Sequence, residues 1–257
     1  MEKIWMGSGW KMNLLGQDVE HFCSQLKDAL QDAPAGVEVF IVPAFPYLKM
    51  AGSLLCGTPV HIAAQNMHWE AAGAFTGEVS AGMLRDVGVS IVELGHHERR
   101  TLFHETDAVI HRKVLAALGA GLRPLICVGE TEQGAEAAAA ASCQRQLDAA
   151  LIDVSASAAQ ALLIAYEPGW AIGAGGIPAD PGFVAGIHEA LRMMLAQKFG
   201  DEAAAGIPIL YGGSVSLGNA ERYLREDAVD GLFVGRAARS AADFIRLIEL
   251  ARALRGK

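Results

Sequence analysis

Short apolar runs alternate with amphipathic helical stretches eight times along the chain, and this alternation limits the fold more than any other feature. The runs are Lys3–Ser8, Glu38–Val42, Val60–Ala64, Ser90–Leu94, Pro124–Val128, Leu162–Tyr166, Ile209–Tyr211 and Leu232–Val234. Most are continuously apolar rather than alternating, which suits parallel strands covered on both faces. Between them lie Asp18–Leu30, Leu48–Leu55, Ser80–Asp86, Asp107–Leu118, Glu136–Leu151, Pro181–Phe199, Asn219–Arg225 and Ala241–Leu254. In Asp107–Leu118, for example, Val109, Ile110, Val114, Leu115 and Leu118 recur at helical spacing, and Gly119 and Gly121 close the segment. Eight strand–helix units of roughly 32 residues each match the size of a (β/α)8 barrel, an α/β fold. The alternative is an open doubly wound sheet, but no GxGxxG follows the first strand. No linker or composition shift divides residues 1–257, so one domain is expected. The run Ala137–Ala141 is expected to be an exposed helix face, since Ala is the best helix former.

With 52% hydrophobic and 19% charged residues, the chain can bury a large core. No apolar run approaches the roughly 18 residues of a membrane span. The opening Met1-Glu2-Lys3-Ile4-Trp5 lacks the regions of a signal peptide. Cys23, Cys56, Cys127 and Cys143 form no CxxC pair and read as reduced, mostly buried thiols of a cytoplasmic protein. A net charge of −8 argues against nucleic acid or a membrane as partner. An anionic substrate would then need a local positive site working against the overall field.

In a barrel of this kind, chemistry sits where strands end, on the C-terminal face. There the sequence places Lys11 after the first strand, His96 after the fourth, Glu130 after the fifth and Glu167 after the sixth. Gly212-Gly213-Ser214 follow the seventh and Gly235-Arg236 the eighth, where barrels commonly bind phosphate through backbone N–H groups. After Glu167, Pro168 stops the strand. Gly169, Gly173, Gly175 and Gly176 then surround an apolar Trp170-Ala171-Ile172 tip, the composition of a hinged lid. A carboxylate under such a lid is a candidate general base. Glu167 could take a carbon-bound proton beside a carbonyl while neutral His96 and the Lys11 cation stabilise the enediolate oxygen. His97 should point elsewhere, as adjacent residues do. No metal-ligand spacing, nucleophile elbow or dinucleotide fingerprint is present, so neither a metal nor a cofactor is expected.

Several stretches resemble the triosephosphate isomerase family. They include Trp10-Lys11-Met12-Asn13, Ala64-Gln65-Asn66, Gly73-Ala74-Phe75-Thr76-Gly77-Glu78 and Leu94-Gly95-His96 with Glu98-Arg99-Arg100. They continue through Cys127-Val128-Gly129-Glu130, Tyr166-Glu167-Pro168, Trp170-Ala171-Ile172-Gly173 and Tyr211-Gly212-Gly213-Ser214-Val215. The resemblance implies a TIM barrel with Glu167 as base, His96 as electrophile and Lys11 as electrostatic clamp. The base, the neutral histidine and a closing loop are the established features of that family's chemistry. It further implies that Glu98 supports this network, that Gly173, Ser214 and Gly235 bind phosphate, and that Thr76 reaches a neighbouring subunit of a homodimer.

Departures accompany the matches. Gly9 stands where the family usually has an active-site Asn, and His97 where it has Ser. The lid reads Ala174-Gly175-Gly176-Ile177-Pro178 in place of Thr-Gly-Lys-Thr-Ala. Pro178 has no N–H, so a latch through that donor cannot form. Gly169 replaces a hinge Val, and Arg236 replaces a second Gly, either adding a phosphate contact or pointing outward. Gly9, the Gly-Ile-Pro lid end and Gly235-Arg236 resemble the branch that isomerises four-carbon ketose phosphates. That branch implies interconversion of L-erythrulose 1-phosphate and D-erythrulose 4-phosphate, with Gly9 making room for the extra hydroxymethyl group. The alternatives are isomerisation of dihydroxyacetone phosphate to glyceraldehyde 3-phosphate and, more distantly, a non-catalytic binder of sugar phosphates.

Overall fold

The computed structural model describes residues 3–30, 36–173 and 175–255. Met1 and Glu2 of the N-terminal reading and Ala174 of the lid lie outside them. Eight strands close into a parallel barrel in chain order. They are β1 (Ile4–Gly9), β2 (Val37–Val42), β3 (Val60–Ala64), β4 (Ile91–Leu94), β5 (Arg123–Val128), β6 (Leu163–Tyr166), β7 (Ile209–Tyr211) and β8 (Gly231–Val234). The ring closes where β8 pairs with β1 from Trp5↔Gly231 to Ser8↔Val234. Strand limits differ from the sequence reading by one to a few residues at some ends. Gly231, for instance, joins β8 although glycine gives no apolar signal, because a Cβ there would lie 2.0 Å from the Trp5 carbonyl oxygen.

Both faces of the strands are buried, which is why the runs read as continuously apolar. Trp5, Phe40, Ala63, Ile91, Leu125, Leu163, Leu210 and Phe233 fill the barrel interior. Their neighbours Met6, Ile41, Ile62, Val92, Ile126, Ile164 and Leu232 point outward into the layer shared with the helices. Gly7 leaves the axis to Phe40, whose ring would lie 2.1 Å from any Cβ at that position.

The expected helices appear as Gly16–Ala29, Leu48–Leu54, Ala81–Asp86, Asp107–Gly119, Glu136–Ala150, Pro181–Phe199, Ala220–Leu224 and Ala241–Arg255. Several start on side-chain caps. Thr106 accepts the N–H of Val109, and Asp180 accepts those of Gly182 and Phe183 ahead of Pro181 in the first turn. Three further helices, His97–Leu102, Ala156–Ala159 and Asp201–Ala205, were too short to show a periodicity. The run Ala137–Ala141 is not simply an exposed face. Ala139 and Ala140 are buried, because their small side chains let the helix pack closely on its neighbours. Cys23, Cys127 and Cys143 are buried free thiols and Cys56 is an exposed one. No helix among the described residues is long and apolar enough to cross a membrane.

Candidate active site

The inward face of the strands continues past the apolar interior and becomes polar. Two residues beyond Ile91, Ala165, Leu210 and Phe233 stand Glu93, Glu167, Gly212 and Gly235. With Lys11, His96 and Glu98 they line one cavity of about 280 Å³.

Glu167 is 4% exposed, and its backbone N–H donates to Val128 O at 2.8 Å. Its Oε2 is buried and has no hydrogen-bond partner among the described residues. His96 Nε2 lies 3.6 Å from that oxygen. A buried acceptor is rarely left unpaired without a use, and this one faces a cavity. The position is enforced from the neighbouring strand: a Cβ on Gly212 would come 2.7 Å from Glu167 Cγ and 2.9 Å from Oε1.

His96 is oriented by the short helix that follows it. The N–H of Glu98 donates to His96 Nδ1 at 3.1 Å, so the ring hydrogen of a neutral imidazole sits on Nε2, facing the cavity. The residue before it, Gly95, has φ 76°, a left-handed conformation costly for any side chain. Arg100 holds this turn by donating from Nε to Gly95 O at 2.7 Å and from Nη1 to Asp107 at 2.5 Å.

Lys11 also adopts a left-handed backbone, with φ 50°. The Gln65 amide pins it, donating to Lys11 O at 2.7 Å and to Val42 O at 3.0 Å. Lys11 Nζ donates to Glu98 Oε1 at 2.8 Å. Burial alone would raise the Glu98 carboxyl, but the hydrogen bond and charge of Lys11 outweigh it and hold that carboxyl below its usual range. The sequence-predicted trio Glu167, His96 and Lys11 thus meets in one cavity, with Glu98 behind Lys11 and His96.

Gly173, Ser214, Gly235 and Arg236 line the same cavity from the lid and the ends of β7 and β8. Arg236 does so while largely solvated, so of the two options left by the sequence it takes the cavity rim. Arg239, which the sequence reading missed, lines it too and donates to Asn13 Oδ1 at 2.8 Å. Arg236 and Arg239 make the rim of this opening cationic despite the net charge of −8, while Lys11 is paired with Glu98, and Glu93 and Glu167 line the same cavity. Only its place four residues after Gly235 could have pointed to Arg239.

Glu93 was also missed, because inside an apolar run it reads as an interruption rather than as a site. It is 6% exposed and lines the cavity. Burial pushes its carboxyl up to about 7; His96 and Lys11 pull it down, while Glu167 and Glu98 raise it. One donor atom each from Glu93, His96 and Glu167 lie within 4.8 Å of one another, a grouping of a size that could surround a cation. Sequence spacing gave no sign of it.

The lid begins with a 3-10 turn, Gly169–Ala171. The Gly169 N–H donates to Glu130 O at 2.7 Å and Trp170 Nε1 to Glu130 Oε1 at 2.7 Å. Gly169 is in close contact with His97, whose Cε1 would lie 2.5 Å from a Cβ there. Burial, and then the charge of His96, lowers the His97 imidazole. At the other end, Pro178 supplies no donor, but the next residue does. Ala179 N–H donates to Tyr211 Oη at 3.3 Å, and Tyr223 Oη donates to Ala179 O at 2.7 Å.

Gly9 lines the cavity, yet the room beside it is bounded. The Phe233 ring edge would be 3.1 Å from a Cβ at Gly9. The space gained there therefore ends at an aromatic wall. Thr76 is exposed on the loop after β3 and does not line the cavity.

A closed parallel barrel that gathers a carboxylate, an imidazole and an ammonium group beside a positive rim has the make-up of a proton-transfer isomerase of phosphorylated substrates. The family model described as triosephosphate isomerase matches residues 4–251, and the chain belongs to that family. It is 40% identical over 247 residues to L-erythrulose-1-phosphate isomerase of Rhizobium etli, covering 95% of this chain and 91% of that one. It is 41% identical over 250 residues to the protein of the same name from Brucella abortus, covering 96% of each. It is also 39% identical over 250 residues to triosephosphate isomerase of Endomicrobium trichonymphae, covering 97% and 99%.

Proposed function

We propose that the chain interconverts L-erythrulose 1-phosphate and D-erythrulose 4-phosphate, with Glu167 as base, His96 as electrophile and Lys11 as clamp. The observation that carries the chemistry is the unpartnered, buried Oε2 of Glu167 beside His96 Nε2 in a cavity with a cationic rim. Glu167 removes the proton from C3 of the ketose, next to the C2 carbonyl. The resulting enediolate oxygen is stabilised by the Nε2–H of His96 and by Lys11. The hydroxyl proton passes between the two oxygens, and protonated Glu167 returns its proton to C2. The carbonyl has then moved from C2 to C3, and no redox partner is needed. Gly173, Ser214, Gly235 and Arg236 hold the phosphate, and Glu98 fixes Lys11.

The Rhizobium etli and Brucella abortus relatives carry the name of the four-carbon activity, and Gly9 opens the cavity as far as Phe233. Dihydroxyacetone phosphate is the second reading, because the same groups serve it and a triosephosphate isomerase is nearly as similar. Having all three reactive groups in one cavity favours turnover over binding alone. The protein works in the cytoplasm as a homodimer joined through the loop bearing Thr76. A monomeric mass in light scattering would refute the dimer.

Steady-state assays of both ketose phosphates on the purified protein test the substrate. A higher kcat/KM for L-erythrulose 1-phosphate is expected; a higher value for dihydroxyacetone phosphate overturns the choice. Glu167→Gln should lower kcat by at least about 10³-fold with an unchanged melting temperature, and near-normal turnover would refute the base.

A further inference from the structure

Glu93 lies deeper in the barrel than His96, on the same strand side of the cavity. It sits on β4, which is diametrically opposite β8 in a ring of eight strands. The phosphate groups proposed above stand on the ends of β7 and β8 and on the lid. A substrate anchored there runs across the barrel mouth, passes its reacting carbons between Glu167 and His96, and directs whatever lies beyond them toward β3 and β4, which stand opposite β7 and β8. Among cavity-lining side chains on that side, Glu93 has one carboxyl oxygen within 4.8 Å of a ring nitrogen of His96 and of a carboxylate oxygen of Glu167.

Burying a carboxyl at the end of an apolar strand is unfavourable, and the fold gives Glu93 little in return. Among the described residues its hydrogen bond is a weak one, from Cys127 Sγ at 3.9 Å. Its inward-facing strand neighbour one layer below, Ile91, is aliphatic, so the strand itself does not call for a carboxyl here. A buried carboxyl so weakly paired within the protein, lining a ligand cavity, indicates a ligand contact.

We propose that Glu93 is a specificity residue whose carboxyl hydrogen-bonds the terminal hydroxymethyl group of the four-carbon substrate. The inference rests on the four-carbon reading. The contact works in either protonation state, since a carboxylate accepts from an alcohol and a carboxylic acid donates to it. A triose phosphate has no group at this point, so Glu93 contributes to selectivity and not to the proton transfer itself.

The test compares kcat/KM for L-erythrulose 1-phosphate and dihydroxyacetone phosphate in wild type, Glu93→Val and Glu93→Gln. Loss of one hydrogen bond to a hydroxyl corresponds to roughly 10- to 100-fold. Glu93→Val should lose that much on the four-carbon substrate and less than about threefold on the triose. Glu93→Gln, which still donates and accepts, should stay within about tenfold of wild type on the four-carbon substrate. Equal losses on both substrates, no loss on either, or a Gln variant as impaired as Val would overturn the assignment. A substrate analogue with methyl in place of the hydroxymethyl gives a second measurement that needs no folded variant. Wild type should turn it over more slowly than the parent by the same factor, and equal rates would overturn the contact. Absence of wild-type turnover of L-erythrulose 1-phosphate would sink the four-carbon reading and this inference together. Indiscriminate variants on an enzyme that prefers the four-carbon substrate would sink the inference alone.

Discussion

The two sides of the cavity are built on different terms. On the side holding Lys11, His96 and Glu167, each reactive group is positioned by a partner that leaves little tolerance. Gln65 pins the Lys11 backbone, the Glu98 N–H fixes the His96 ring, and Gly212 leaves space for Glu167 and nothing more. The other side, formed by the lid and the β8 wall, carries departures from the family pattern, and these come in contacting sets. His97 fills the space that Gly169 vacates, Phe233 borders the space beside Gly9, and Ala179 offers Tyr211 the donor that Pro178 lacks. Reaction geometry therefore depends on single atoms, whereas the wall depends on conserved volume and one hydrogen bond. A wall of that kind can be remodelled for a different substrate without touching the proton transfer.

The reactive side should break at its tightest contact. Gly212→Ala puts a methyl group 2.7 Å from Glu167 Cγ. The carboxylate must then leave its place beside His96, and a displacement near 1 Å in a reacting group costs on the order of 10²-fold in kcat. Crystallography of the variant should show the Glu167 side chain rotated. Full activity would mean that the strand-end geometry is looser than the contact distances imply.

How far this division could be read beforehand differs between the two sides. The barrel was legible because continuous apolar runs leave parallel strands few alternatives, and Lys11, His96 and Glu167 because they follow those runs directly. Paired contacts were not legible. His97 and Gly169 are 72 positions apart in sequence and meet only because β4 and β6 flank β5 in the closed ring. Phe233 and Gly9 meet because β8 closes on β1. Glu93 was hidden by its own strand, where one acidic residue among Ile91, Val92 and Leu94 reads as an interruption of the apolar run and not as a site. Arg239 ends a short 3-10 turn, Arg236–Arg239, that is too brief to show a periodicity.

The wall next to Gly9 should move selectivity more than rate. Gly9→Asn brings a side chain against the Phe233 ring, which packs on Phe40 with centroids 5.5 Å apart and so yields poorly. We expect the preference for the four-carbon over the three-carbon substrate to fall about tenfold, the scale of a small change in pocket volume. Adding Phe233→Leu should recover thermal stability lost by the single variant. An unchanged substrate ratio in Gly9→Asn would show that this wall does not meet the substrate's extra carbon.

The lid hinge offers a cleaner test of pairing. Gly169→Val alone forces a Cβ to 2.5 Å from the His97 ring and should destabilise by roughly 1–3 kcal/mol, the usual cost of overpacking. His97→Ser removes the obstacle, so the double variant should regain most of that loss. A coupling of about 1 kcal/mol or more in the thermal or denaturant cycle supports interdependence. Additive single effects would mean that the two departures are independent neighbours.

The smallest effect lies on the boundary between the two sides, at Glu93, and is read from pH. Its buried carboxyl is pushed up to about 7 from an ordinary 4.5. In the folded chain it therefore keeps its proton over a range in which the unfolded chain has lost it. Stability linked to Glu93 is fully present below about pH 4.5 and falls away as pH rises through about 7. The groups facing it are His96, Glu167, Lys11, Glu98 and the Cys127 thiol. Glu93→Gln stays neutral throughout and removes this loss. Its melting temperature should exceed that of wild type by a few degrees at pH 8 and match it near pH 4.5. A difference that stays constant across that range would place the variant's effect in packing and leave the carboxyl's charge without a part in stability.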